Sequence, residues 1–277
     1  VRAGLEMALL SLASQVVRTP LHLALGEESP SDPARKKLDG FLALNGLITR
    51  GSVAAQMAMD NVSGKRGRPI QYDSWKVKVG HQSAYEDAMA ISYAYQVALS
   101  YTDGAEGKVR ADANRGFNES TALHFASILK GIDSEAFKRL EYVEEPLLKS
   151  STTQSEWSFK GQVKALESWH KSTSIQYALD ESLSDLAEMH NYDFDSIASD
   201  IKSVFEEGSN GCAALILKPS ILGLELSMRL ARFARVELGV GAVFTSSFES
   251  GVGLAFVSFL ASQSDASTAK EGVTQYT

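Results

Sequence analysis

The chain has a single cysteine, Cys212, so it forms no internal disulfide, and the apolar neighbours in "CAALIL" mark it as a buried structural thiol. A reducing compartment fits that usage. No apolar run approaches the ~20 residues of a membrane-spanning helix, and the first residues lack the charged, apolar and small-residue segments of a secretion signal. Positive charge is not in excess. There are 27 Lys and Arg against 34 Asp and Glu, a net charge of −7, which excludes a general electrostatic affinity for nucleic acid or an anionic membrane. The five histidines (His22, His81, His124, His170 and His190) share no spacing that suggests zinc and read as loop or helix-surface residues. No low-complexity linker divides the chain. The loosest stretches, "GEESPSDPARKK" and "DNVSGKRGRP", read as polar loops too short to separate domains.

What is present is an ordinary globular composition, 44% hydrophobic and 22% charged over 277 residues, enough to bury a large core. Short β-rich runs alternate with amphipathic stretches. The runs are "FLALNGLIT" (41–49), "SWKVKVG" (74–80), "KVRADAN" (108–114), "LEYVEEP" (140–146), "QYALDES" (176–182), "AALILKPS" (213–220) and "GAVFTSS" (241–247), with an eighth candidate at "GVTQYT". Between them, "AYEDAMAISYAYQVAL" and "STALHFASILKGI" place apolar residues at helical spacing. Repeated βα units imply a parallel sheet, and this many suggest a closed α/β barrel over an open sheet.

On that frame, charged residues fall at the C-terminal ends of successive strands: Lys78, Asp112, Glu144, Asp180 and Lys218, each 32 to 38 residues from the next. In a barrel these ends open onto one face, where active sites of the architecture lie. Asp112, Glu144 and Asp180 would repel one another without a cation between them, and an all-oxygen set suits Mg²⁺, with Mn²⁺ as the alternative. Lys76 and Lys78 share one face of their strand and are expected to face a metal-bound anionic substrate, with Lys76 lowering the pKa of Lys78 toward general-base use. Taken alone, the pair reads more readily as a solvated edge-strand feature. Glu145 and Glu181, each beside a proposed ligand, point to the opposite face and read as partners of ion pairs around the metal site or on the barrel wall. Trp157 and Trp169 are expected to pack on helices.

The motifs "KVKVG" (76–80), "RADANRGF" (110–117), "VEEP" (143–146), "ALDES" (178–182), "LILKPS" (215–220) and "TSSFESGVGL" (245–254), in this order and spacing, resemble the enolase superfamily and, within it, the o-succinylbenzoate synthases of the muconate-lactonising subgroup. The resemblance runs from the first helix nearly to the last residue. It implies a (β/α)7β barrel over 41–277, preceded by a linker helix and lead-in over 1–40. An N-terminal capping domain, usual in the family, is absent from this chain and expected on a longer or fused polypeptide. "SILGLEL" departs from the family, which often has two glycines after the sixth-strand lysine; Leu224 replaces one.

The implied roles are Mg²⁺ ligation by Asp112, Glu144 and Asp180, proton abstraction by Lys78, and charge stabilisation by Lys218. Ser246 and Ser247 would meet the succinyl end of the substrate, and Asn114 and Arg110 would border the metal site. The implied reaction is the dehydration of 2-succinyl-6-hydroxy-2,4-cyclohexadiene-1-carboxylate to o-succinylbenzoate in menaquinone or phylloquinone biosynthesis. A dipeptide epimerase, a muconate cycloisomerase or a non-catalytic barrel module are the alternatives; the D-x-D pair usual in epimerases near the eighth strand has no counterpart in "SSFESGVG". The partner is a small-molecule carboxylate, not nucleic acid or membrane. The compartment is the cytoplasm, or the plastid in a photosynthetic eukaryote.

Overall fold

The computed structural model describes residues 2–18, 43–48, 72, 74–101, 107–149, 157–208, 210–266 and 274–276. His22, much of the lead-in over 1–40 and both polar stretches named above lie outside them. The chain divides into two compact units, one of Val1–Ala43, Leu186–Ser199 and Ala214–Thr277, the other of Leu44–Asp185 and Asp200–Ala213.

The second unit carries strands β1 (Ala43–Ile48), β2 (Ser74–Lys78), β3 (Val109–Asp112), β4 (Leu140–Glu144) and β5 (Tyr177–Leu179). Each pairs in parallel with the next, and the Tyr177 N–H continues the ladder to the carbonyl of Gly211 at 2.9 Å. Residues of β2, β3, β4 and β5 are almost all buried, as expected of parallel strands covered on both faces. Asp180, expected to end its strand, stands one residue beyond it.

Helices α2 (Ala84–Tyr101), α3 (Glu119–Ile132), α4 (Ser134–Arg139) and α5 (Phe159–Thr173) cover this sheet. The start of α3 is fixed by Asn118, whose side chain accepts from Thr121 N at 2.9 Å, and its inward stripe is Ala122, Phe125, Ala126 and Leu129. Phe125 stacks on Phe117, the centroids 5.3 Å apart. One residue ends α3 and starts α4: Asp133 donates its backbone N–H to Leu129 O at 2.9 Å and accepts from Ala136 N at 2.9 Å. The Ser92 hydroxyl, on α2, donates to the same carboxylate at 2.6 Å and ties a third helix to the corner. Ser158 caps α5, which buries Phe159, Val163, Leu166 and Trp169 and ends at Ser174 in the left-handed region. Trp157 precedes that helix and lies under two cations, Lys149 at 4.6 Å and Arg115 at 5.9 Å from its ring centroid.

Two glycines bring the loops after β2 and β3 together. A Cβ on Gly116 would stand 2.3 Å from the carbonyl oxygen of Gly80, and one on Gly80 would stand 3.0 Å from Gly116 Cα, while Gly80 also takes φ +83°. Only glycine meets both demands.

The first unit carries α1 (Arg2–Val16), and pairs β6 (Cys212–Leu217) with β7 (Gly241–Phe244), and β7 with β8 (Thr274–Tyr276), all parallel. The eighth strand candidate is therefore a strand. After β6 come α8 (Pro219–Leu222) and α9 (Leu224–Phe233); α9 continues as a π-helical turn over Ala234–Leu238. α10 (Gly251–Ala266) follows β7. The remaining helices are α6 (Glu181–Met189) and α7 (Phe194–Glu206). Arg229 stacks 3.9 Å over the Phe194 ring, which meets Phe233 edge-on. Cys212 is buried and in no disulfide. Among the described residues no helix is long and apolar enough to cross a membrane.

Candidate active site

Register makes the site. Lys78 pairs with Asp112 and Asp112 with Glu144, so the last residues of β2, β3 and β4 lie side by side; Lys76, Arg110 and Tyr142 form the row two residues earlier on the same face. Lys76 extends from the lower row to the upper one. Its Nζ lies 3.1 Å from Glu144 Oε2 and 3.2 Å from Asp112 Oδ2, and the side chain is only 9% exposed. Lys78 Nζ donates to Asp112 Oδ2 at 2.5 Å and to Asn114 Oδ1 at 2.6 Å, with its side chain 39% exposed.

The lysine pair is thus no solvated edge feature. The anions that the structure places beside it are Asp112 and Glu144. A buried carboxylate and a buried ammonium are each costly alone and seek one another.

The electrostatics follow from that packing. Burial works against the charge of Lys76, but Glu144 and Asp112 outweigh it and hold the lysine above its ordinary range. Burial likewise opposes ionisation of Asp112, and the ammoniums of Lys76 and Lys78 overcome it and hold Asp112 low. Glu144 goes the other way. Burial raises it, Lys76 only partly compensates, and the neighbouring charges of Asp112 and Asp180 push it up to about 8.

Asp180 is buried, its N–H donating to Glu145 Oε1 at 3.0 Å and its carbonyl accepting from Ser184 N at 3.1 Å. Among the described residues no three carboxylate, imidazole or thiolate groups enclose a ready-made metal position. Asp112, Glu144 and Asp180 fit a hard cation in other respects. All are oxygen donors, the three carboxylates outnumber the two ammoniums of Lys76 and Lys78 paired with them, and Glu144 Oε1 is buried with no hydrogen-bond partner.

Asn114 stands beside Lys78, and its Nδ2 donates to Glu181 Oε1 at 3.1 Å. Glu181, expected on the opposite face, therefore reaches the site through Asn114, because it opens α6 rather than continuing β5. Arg110 pairs through Nε with Glu141 Oε2 at 2.7 Å and stacks 4.8 Å from the Tyr142 centroid. An irregularity in the β3–β4 register explains this: Val109 faces Leu140 but Arg110 faces Tyr142, so Glu141 is an extra residue re-aimed at Arg110.

Three candidates lie in the first unit. Lys218 immediately follows β6 and its carbonyl begins α8, accepting from Ile221 N and Leu222 N at 2.9 Å. Ser246 and Ser247 follow β7, half-buried, and Ser247 N donates to Glu249.

Sequence reasoning assigned Glu145 only an unspecified ion pair and did not single out Arg115. Both take positive φ, 39° and 59°. Glu145 is fully buried, and burial pushes its carboxyl up to about 7 against the pull of the Arg115 guanidinium.

No protein-family model matches the chain. It is 27% identical over 187 residues to an o-succinylbenzoate synthase of Aliivibrio fischeri (strain MJ11), covering 67% of this chain and 46% of that protein. It is 26% identical over 273 residues to the Protein PHYLLO, chloroplastic, of Arabidopsis thaliana, covering 94% of this chain and 13% of that one. Among solved structures, a dipeptide epimerase from Cytophaga hutchinsonii, complexed with Mg and the dipeptide D-Ala-L-Val, superposes with a TM-score of 0.63 at 18% identity, over 98% of this chain and 59% of that one. The fold is that of the enolase superfamily. The expected barrel class is thereby met, and the sequence likeness to o-succinylbenzoate synthases stands beside it. The chain spans less than half the length of either curated relative.

Proposed function

We propose that this chain is the barrel of an o-succinylbenzoate synthase, a lyase that removes water from 2-succinyl-6-hydroxy-2,4-cyclohexadiene-1-carboxylate to give 2-succinylbenzoate. The observation that carries the reading is the row Lys78–Asp112–Glu144, crossed by Lys76, at the C-terminal ends of adjacent strands. Such a row puts an amine beside carboxylates able to hold a cation, the pairing needed to take a proton from the carbon next to a carboxylate. The substrate assignment leans on the sequence likeness to o-succinylbenzoate synthases.

In this reading Asp112, Glu144 and Asp180 hold Mg²⁺, which supplies a Lewis acid for the substrate carboxylate. Lys78, in its neutral form, takes the ring proton; Lys76 stays cationic and keeps Asp112 and Glu144 paired. One C–H and one C–O bond break, the ring becomes aromatic, and the hydroxyl departs as water with the proton that Lys78 took, which returns the lysine to its neutral form. Lys218 offers a fixed positive charge for the negative charge that develops on the substrate. Asn114 orients the Lys78 amine through Oδ1, while Ser246 and Ser247 offer hydroxyls to the succinyl end. Arg110 acts indirectly, through Glu141 and Tyr142. Residues 1–40 serve as linker and lead-in to a barrel of 41–277, and the rest of a longer polypeptide supplies the capping domain. As in the Arabidopsis relative named as chloroplastic, a plastid setting suits a photosynthetic source.

The same lysines and carboxylates would serve a dipeptide epimerase, which the Cytophaga neighbour favours on fold. Incubating the full-length protein with Mg²⁺ and the cyclohexadiene carboxylate, and following the aromatic product by ultraviolet absorbance, separates the two. Aromatic product is expected. Epimerisation of dipeptides with no aromatic product would overturn the proposal.

A further inference from the structure

Just beyond the three carboxylates the backbone bends in an unusual way. Glu145, Asn114 and Arg115 take φ of 39°, 44° and 59°, a region that residues with a Cβ seldom adopt. Such strain persists only where the surroundings enforce it. One buried carboxylate ties Glu145 to Arg115, Asp180 and Ser182. Glu145 Oε1 accepts from the backbone N–H of Asp180 at 3.0 Å and of Ser182 at 2.8 Å, while Oε2 accepts from the Ser182 hydroxyl at 2.9 Å and from Arg115 Nε at 3.4 Å. Arg115 closes the ring: its N–H donates to the Glu145 carbonyl at 2.7 Å, Nη2 donates to the Ser182 hydroxyl at 3.0 Å, and Nη1 pairs with Asp185 at 2.7 Å. The exits of β3, β4 and β5, which bear Asp112, Glu144 and Asp180, are thus fastened through Glu145.

We infer that Glu145, held by Arg115 and Ser182, is a positioning residue that fixes Asp180 against Asp112 and Glu144 and so makes the site selective for a small divalent cation. The inference rests on the reading of those three carboxylates as a cation site. Mg²⁺ demands near-ideal octahedral geometry at about 2.0–2.1 Å, whereas Ca²⁺ accepts irregular shells at about 2.3–2.6 Å. A clamp on the backbone that carries the ligands therefore benefits Mg²⁺ more. At the start of α6 the carboxylate is also well placed against the helix dipole, so it stays anchored there.

The test is calorimetric titration of the full polypeptide with MgCl₂ and, separately, CaCl₂, for the parent, Glu145→Gln, Ser182→Ala and Asp180→Asn, with the metal-free thermal midpoint of each recorded. Glu145→Gln is expected to lose about 10–100-fold in Mg²⁺ affinity, the usual effect of disturbing groups that orient ligands, and clearly less in Ca²⁺ affinity. Ser182→Ala should shift the Mg²⁺:Ca²⁺ ratio in the same direction, and it decides the matter if Glu145→Gln does not fold. A ratio within twofold of the parent in every folded variant, while Asp180→Asn abolishes Mg²⁺ binding, would overturn the clamp and leave the cation site standing. Mg²⁺ binding undiminished in Asp180→Asn would instead overturn the cation site on which the clamp depends.

Discussion

Lys78 and Asp112, 34 residues apart, are register partners at the ends of neighbouring strands, and their Nζ and Oδ2 atoms meet at 2.5 Å. The amine assigned to proton removal is therefore held by a carboxylate assigned to the cation. Anything that moves one moves the other.

The first prediction concerns the charge-conserving replacement of that amine. A guanidinium does not deprotonate in proteins, so Lys78→Arg should lose the general-base contribution, about 10²–10⁴-fold in kcat. Lys218→Arg, which keeps the charge proposed to matter at that position, should retain more activity. Steady-state assays of the aromatic product decide it; Lys78→Arg outperforming Lys218→Arg would reverse the two roles.

Removing Lys76 leaves Asp112 and Glu144 buried without their shared ammonium. Breaking such a buried pair from one side costs about 3–5 kcal/mol, so Lys76→Met should unfold at markedly lower denaturant concentration. Added Mg²⁺ should restore more stability to this variant than to the parent. Equal midpoints for variant and parent in chemical denaturation would show that the pair is not holding the strands.

Gly116→Ala should destabilise by about 1–3 kcal/mol, the usual range for forcing atoms into a filled space. The reason is that its Cβ would lie 2.3 Å from a backbone oxygen that no side-chain rotation can clear. Gly131→Ala is the control: it has open space at the same atom, on a helix. Thermal melts of the two should separate clearly.

At Asp133, burial opposes ionisation, but the amides of Ala136 and Glu135 and the Ser92 hydroxyl outweigh it and hold the carboxyl below its ordinary 3.8. A carboxyl depressed in the folded state adds stability that is present above the unfolded value and lost as pH falls through the folded one. Asp133→Ala should therefore cost about 1 kcal/mol at neutral pH, the value of a helix cap, and the gap to the parent should narrow below pH 4. A gap that stays constant down to pH 2.5 would assign the effect to packing instead.

Much of this was legible because local rules sufficed. The β-rich runs mark the strands to within three residues at either end, and the spacing of Lys78, Asp112 and Glu144 anticipates neighbours at strand ends, since a parallel sheet brings the corresponding ends of βα repeats together. Asp180 and Lys218 fall one residue later because their strands end early, in the turns that start α6 and α8. What local pattern could not supply was contact across long separations. Glu145 meets Ser182 over 37 residues, and no periodicity announces a left-handed glutamate or an arginine aimed at it. The extra residue Glu141 escaped for a similar reason, since a bulge is defined by the partner strand. The identity of the anion opposite Lys76 needed the register of three strands.

The ammonium of Lys76 between Asp112 and Glu144 has a further meaning for how the protein comes into being. A nascent barrel that buried those acids bare would face a large desolvation penalty until an ion arrived. By carrying its own counter-ion on β2, the chain can complete its sheet with those acids already paired. If Asp112 and Glu144 hold a cation as proposed, folding and loading would then be two separable events, and a chain short of the ion would stay folded and idle.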